Sequence, residues 1–155
     1  MAKFLTLDDV EVKDKVVLVR VDFNSPVDPE TKEILDDSRI RAHGESTIRE
    51  LAEKGAKVVV LAHQGRKNDS DFIPLKQHAE ILAKVLGKPV KYVDDLFGEK
   101  TKAAVNQLKS GKVLVLENTR ACTTLKLKKE RSCKSPGPIK SAIEHVWLPS
   151  PKRIL

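Results

Sequence analysis

Long apolar runs are missing from this 155-residue chain. None approaches the roughly 18 residues that a membrane-spanning helix needs. The opening stretch, MAKFLTLDDVEVKD, has no apolar core of signal-peptide length and soon turns acidic, so a cytoplasmic protein with no membrane partner is expected. Cysteine is nearly absent as well. Cys122 and Cys133 stand far apart and fit neither a disulfide scaffold nor a zinc site. There is no GxxxxGK[ST] loop, no G-x-G-x-x-G after a strand, and no Ser-His-Asp, Cys-His or His-rich metal pattern. Excess charge of one sign is also missing from most of the chain. The formal charge is +7, yet residues 121–155 hold eight Lys/Arg against two acids, which leaves 21 against 20 in the first 120 residues. The basicity belongs to the last segment, where the run Lys126-Lys128-Lys129 reads as solvated, and nucleic acid is not an expected partner of the folded-looking part.

What is present is a set of short apolar runs that end in polar loops. The first is VVLVRVDFNSP, Val16 to Pro26. Its branched residues suit a buried strand, and an almost continuous apolar run suits the centre of a parallel sheet, covered on both faces. Pro26 cannot donate to a sheet ladder and stops the strand. Asp36, Asp37 and Ser38 then offer N-cap side chains, Ile40, Gly44, Thr47, Ile48 and Leu51 follow at helical spacing, and Gly55 ends that helix. Further strands are predicted at Lys57 to Ala62, Val90 to Val93 and Lys112 to Leu116. Helices are predicted from Leu75 to Leu86 and from Glu99 to Leu108.

The alternation β-α-β-α-β-α-β predicts an α/β fold: a Rossmann-like parallel sheet with helices on both faces. Reactive residue types follow every strand end. Asp22 and Asn24, His63 and Arg66, Asp94 and Asp95, and Asn118 and Arg120 therefore share one edge of the sheet. Arg39 joins them, because its helix begins where the first strand-end loop finishes. Arginine offers a rigid fork of donors for carboxylate or phosphate, and helix N-termini add positive potential. The natural guest of such a rim is a small polyanion. Four residues read as structural: Arg20 as the partner of a buried acid, Asp94 and Asp95 as a turn or helix cap, and Phe23, which alternates with Asp22 and Asn24, as core packing. His43, His78 and His145 read as solvated.

In order and spacing, VVLVRVDFNSP, DDSRIRA, VVVLAHQGR, GKPVKYVDD and VLVLENTR resemble the landmarks of phosphoglycerate kinase, of the archaeal type, over about residues 3–120. The resemblance implies an incomplete N-terminal domain, residues 1–120, that binds 3-phosphoglycerate. It implies that the nucleotide-binding C-terminal domain, which holds Mg-ATP or Mg-ADP in the family, is absent. The family moves a phosphoryl group reversibly between ATP and 3-phosphoglycerate, giving ADP and 1,3-bisphosphoglycerate. Carried over position by position, Asp22 and Asn24 hold the glycerate hydroxyl and carboxylate, and His63, Arg66 and Arg120 hold the phosphate end. Arg39 reaches the transferring phosphoryl as the catalytic residue, a role that suits a reaction governed by positioning and electrostatics. The same motifs bring Phe23, Gln64 and Gly65 into the substrate-binding set.

Two departures accompany the resemblance. Gln64 and Lys67 stand where the family usually has Leu and Pro, a change expected to be tolerable in a solvent-facing loop. From Ala121 onward no match is found, and a further substrate arginine is missing. Residues 121–155 read as a frameshifted or artefactual basic tail. Family members are typically monomeric, while an unfinished sheet with exposed edges is expected to be prone to self-association. Turnover by this chain alone is not expected. The competing readings are a non-catalytic anion- or partner-binding module and, more remotely, a nucleic-acid binder acting through the tail.

Overall fold

The computed structural model describes residues 6–121. Cys122, Cys133, the lysine run and His145 lie outside the described residues. After a 3₁₀ turn at Leu7–Asp9 come strand β1 (Val16–Arg20), helix α1 (Ser38–His43), a π-helical turn (Gly44–Ile48) and helix α2 (Arg49–Glu53). Then follow β2 (Lys57–Leu61), α3 (Lys76–Leu86), β3 (Val90–Tyr92), α4 (Glu99–Asn106) and β4 (Val113–Val115). The four strands form one parallel sheet in the order β1-β2-β4-β3. The predicted alternation is therefore the observed one.

The sheet has a core on each face. On one, Val17, Val58, Val60, Val113 and Val115 meet Ile40, Ile48 and Leu51 of the α1–α2 segment and Ala79, Leu82 and Leu86 of α3. On the other, Val59, Leu114 and Leu116 meet Ala104 and Leu108 at α4, with Val93 and Leu96 beside them. Alternation along each strand sends successive side chains to opposite faces, so β2 and β4 are covered on both.

β1 departs from expectation. Among the described residues it is an edge strand and not the centre. Lys57 donates its N–H to the Lys15 carbonyl and Val21 donates to the Leu61 carbonyl. Val17 and Val19 therefore aim their backbone groups at β2, and Val16, Leu18 and Arg20 aim theirs away from the sheet. On the α4 face β1 is incompletely covered, leaving Leu18 41% exposed. Arg20 is exposed too and has no ion pair among the described residues, against the expectation of a buried acidic partner. An apolar run by itself does not distinguish a strand covered on one face from one covered on two.

The helix expected from Ser38 onward is present but broken by its π turn. Its start is set one residue early: Asp36 accepts the Ser38 N–H at 2.8 Å and the Ser38 hydroxyl at 2.9 Å. At the turn, Gly44 lets α3 come close. A Cβ there would stand 2.9 Å from Leu82 Cδ1 and 3.0 Å from Val85 Cγ1.

Asp94-Asp95 behaves as a cap. Asp95 accepts the N–H groups of Gly98 at 3.0 Å and Thr101 at 3.1 Å, at the start of α4. Burial pushes its carboxyl up, but the Thr101, Gly98 and Leu96 N–H groups outweigh this and hold it below its usual pKa. Asp94 pairs with Lys100 at 2.9 Å. Asp95→Ala is expected to cost about 1 kcal/mol of stability, read by urea unfolding. An unchanged midpoint would remove Asp95 from the cap.

Candidate anion-binding site

The carboxyl ends of β1, β2 and β4 lie side by side, and the loops that leave them build one rim. Asp22, just past β1, accepts the Asn24 N–H at 3.1 Å and Arg39 Nη1 at 2.8 Å. Both members of that ion pair are about half exposed, so its electrostatic worth alone is small. Its effect is to hold the Arg39 guanidinium over the β1 loop. Asn24 reaches sideways, and its Oδ1 accepts the Gly65 N–H at 2.9 Å. Arg120 Nη1 donates to the Gly65 carbonyl. Gly65 thus sits between an asparagine from one loop and an arginine from another.

Gly65 needs its φ of +60°, and a Cβ there would stand 2.6 Å from the Asp71 carbonyl. Glycine alone meets both conditions. Arg66 follows it with an exposed side chain. His63, half-buried, is held below its ordinary pKa by burial first and then by the charge of Arg120, with Arg20 and Arg39 acting the same way and Asp22 opposing them. One imidazole therefore feels three guanidinium groups. That is the field of a rim arranged to receive negative charge.

Three expected members of this set are placed differently. Phe23 is fully buried and stacks on His78 with ring centroids 6.2 Å apart. Its side chain belongs to the core, as the strand alternation implies, and not to the rim. Gln64 is also fully buried, which corrects the solvent-facing loop expected there: the loop turns outward only after it. Asn118 is 1% exposed, and its amide is turned inward to the backbone of Gln64.

The histidines need correction as well. His78 is fully buried, and burial pushes its pKa down to about 4. His43 is partly buried against Phe23, and burial lowers its pKa, with Asp22 and Arg39 acting in opposite directions. A signal for His78 was present: Leu75, His78, Ala79 and Leu82 fall on one helical stripe. Glu117 had no such signal. It accepts the Leu75 N–H at 3.2 Å and the Tyr92 hydroxyl, tying the start of α3 to β3 and β4.

Among the described residues, no group of three or more His, Cys, Asp or Glu could hold a metal ion, and no helix is long and apolar enough to cross a membrane.

The family model of phosphoglycerate kinase matches residues 7–139. The chain belongs to the phosphoglycerate kinase family. The phosphoglycerate kinase of Methanobacterium bryantii is 54% identical over 117 residues, covering 76% of this chain and 28% of that protein. That of Methanothermobacter thermautotrophicus is 51% identical over 128 residues, 83% of this chain and 31% of its own length. The crystal structure of phosphoglycerate kinase from Pyrococcus horikoshii OT3 superposes with a TM-score of 0.73 at 38% identity, covering 77% of this chain and 29% of that one. All three organisms are archaea, in keeping with the archaeal type of the sequence landmarks. The chain thus spans about 30% of the phosphoglycerate kinases it matches. The family model runs to residue 139, past the limit of 120 that the motifs suggested.

Proposed function

We propose that this chain carries the 3-phosphoglycerate half of a phosphoglycerate kinase site, in the cytoplasm. The observation that supports this reading best is the convergence of Arg39, Arg120 and His63 on one rim, with Asp22 and Asn24 between them. Acceptors at Asp22 and Asn24 suit a glycerate hydroxyl, and the arginines suit the carboxylate and phosphate. In the complete reaction a phosphoryl group leaves the nucleotide for the carboxylate oxygen of 3-phosphoglycerate, reversibly. The part of this chain is to hold the acceptor and to offset the charge that develops as the phosphoryl crosses. Arg39 has the exposure and the reach for that. Among the described residues its side-chain hydrogen bond is to Asp22, and about half of the side chain is open to solvent. Mg-ATP or Mg-ADP is the family's second substrate, and this rim takes the acceptor.

The test is a calorimetric titration of 3-phosphoglycerate into the chain at low ionic strength, with Arg39→Ala beside it. Saturable binding is expected, weakened at least roughly tenfold in the variant, as for the loss of a charge-assisted contact. No binding to a chain whose circular dichroism shows it folded would overturn the proposal.

A further inference from the structure

Beyond the carboxyl ends of β1, β2 and β4 the strands stop, yet their cross-links continue through side chains. Asn118, after β4, takes the main chain of Gln64 in both directions: its Nδ2 donates to the Gln64 carbonyl at 2.7 Å, and its Oδ1 accepts the Gln64 N–H at 3.4 Å. Gln64, after β2, does the same to Ser25, after β1. Its Oε1 accepts the Ser25 N–H at 2.8 Å, and its Nε2 donates to the Ser25 carbonyl at 2.9 Å. The order Ser25–Gln64–Asn118 repeats the sheet order β1-β2-β4. Two buried amides thus extend the ladder by one more rung, where the loops would otherwise splay apart.

Each rung stands beside rim residues. Ser25 follows Asn24. Gln64 lies between His63 and Gly65, with Arg66 next. Asn118 precedes Arg120 by two, and its Oδ1 also accepts the Arg120 N–H at 3.0 Å. Further contacts lock the amides in orientation. Gln64 Nε2 reaches the Asp71 carbonyl at 3.2 Å, and Asn118 Nδ2 reaches the Ile73 carbonyl at 3.0 Å. Because Gln64 Oε1 already faces the Ser25 N–H, it can only accept from His78 Nε2, 3.2 Å away. That makes Nε2 the protonated nitrogen of this contact, and among the described residues Nδ1 has no hydrogen-bond partner.

We propose that Gln64, backed by His78 and coupled to Asn118, is the positioning residue of the anion rim, setting the spacing of Asn24, His63 and Arg120 without touching the ligand. The proposal rests on the reading of the rim as a 3-phosphoglycerate site. Leucine at position 64 would fill similar space but supply none of these bonds, leaving buried donors at Ser25 and His78 unsatisfied.

The test pairs calorimetry with native-state hydrogen exchange on the full chain and on Gln64→Leu. Where the wild type binds 3-phosphoglycerate, the variant is expected to bind at least roughly tenfold more weakly. Exchange at the Ser25 and Gly65 amides is expected to quicken by a similar factor, while the amides of β2 and β4 keep their protection. That local pattern separates positioning from general loss of stability. If either affinity or the two local amides stay unchanged, the proposal is overturned. If the wild type binds no 3-phosphoglycerate, the functional reading falls and exchange alone decides: unchanged Ser25 and Gly65 amides would still sink the relay. Should the leucine variant fail to fold, Gln64→Glu is read the same way. It keeps the acceptor contacts to Ser25 and His78, and when ionised it loses the donors to the Ser25 and Asp71 carbonyls.

Discussion

Replacing Phe23 by alanine is expected to lower the unfolding free energy by about 3–5 kcal/mol. Phe23 is fully buried and lies at the point where β1 passes into the loop that carries Asp22 and Asn24. Its ring packs between two imidazoles, stacked on His78 at 6.2 Å and tilted against His43 at 6.3 Å. Truncation would open a cavity beneath the rim that its neighbours, fixed by the Gln64 hydrogen bonds, are poorly able to fill. Since a whole domain is held by only about 5–15 kcal/mol, the alanine chain should be largely unfolded at modest urea. Phe23→Leu separates packing from ligand contact. It should cost less than about 1.5 kcal/mol and leave 3-phosphoglycerate affinity within a factor of a few. Weak binding by a fully folded leucine variant would instead return Phe23 to the ligand.

Acidification should destabilise the chain well before its carboxylates titrate. His78 has a folded-state pKa of about 4 against an ordinary 6.5, because burial disfavours the imidazolium. A depressed histidine contributes stability that is complete above the unfolded value, pH 6.5, and is lost as the pH falls toward about 4, where the unfolded chain holds a proton that the folded one refuses. That difference corresponds to about 3 kcal/mol. Carboxyls held below their usual pKa, such as Asp36 and Asp95, lose their contribution only below 3.8, so the two windows separate. Urea unfolding through this pH range should show the fall in the wild type and a clearly shallower one in His78→Leu, where only the depressed His43 and His63 still titrate while Ser25 satisfies Gln64 Oε1. A wild-type profile as shallow as that of the variant would mean that His78 titrates normally.

The order and kind of the elements were legible because the cues were local. Four short apolar runs ending in polar residues, with Gly55 and Gly87 after helical stripes, specify strands and helices without reference to anything distant. The rim was legible for the same reason: in a parallel arrangement, residues that follow strands converge. What failed was information about neighbours. VVLVR says that β1 is apolar but not how many strands flank it or whether both of its faces are covered, and on the α4 face Leu18 is exposed. Gln64 is a polar residue in a polar loop, and nothing local says that it turns inward. Its register with Val58, Val60 and Ala62 on a period of two was the one available hint. His78 was misread for a different reason, since its polarity outweighed its place on the apolar stripe of α3. Buried amides and imidazoles are settled by partners far away in sequence, such as Ser25, 39 residues from Gln64.

The outward-facing backbone of β1 has a consequence for the rim. In a sheet of parallel strands, each strand delivers one loop to the shared edge, and the order of strands becomes the order of loops along it. The loops of β1, β2 and β4 occupy three adjacent columns, with Asp22 and Arg39 in the outermost. Any strand that joined β1 in parallel through the backbone of Val16, Leu18 and Arg20 would open a fourth column beside Arg39. The width of the rim, and so the size of the anion it can enclose, is in this way tied to the number of strands in the sheet.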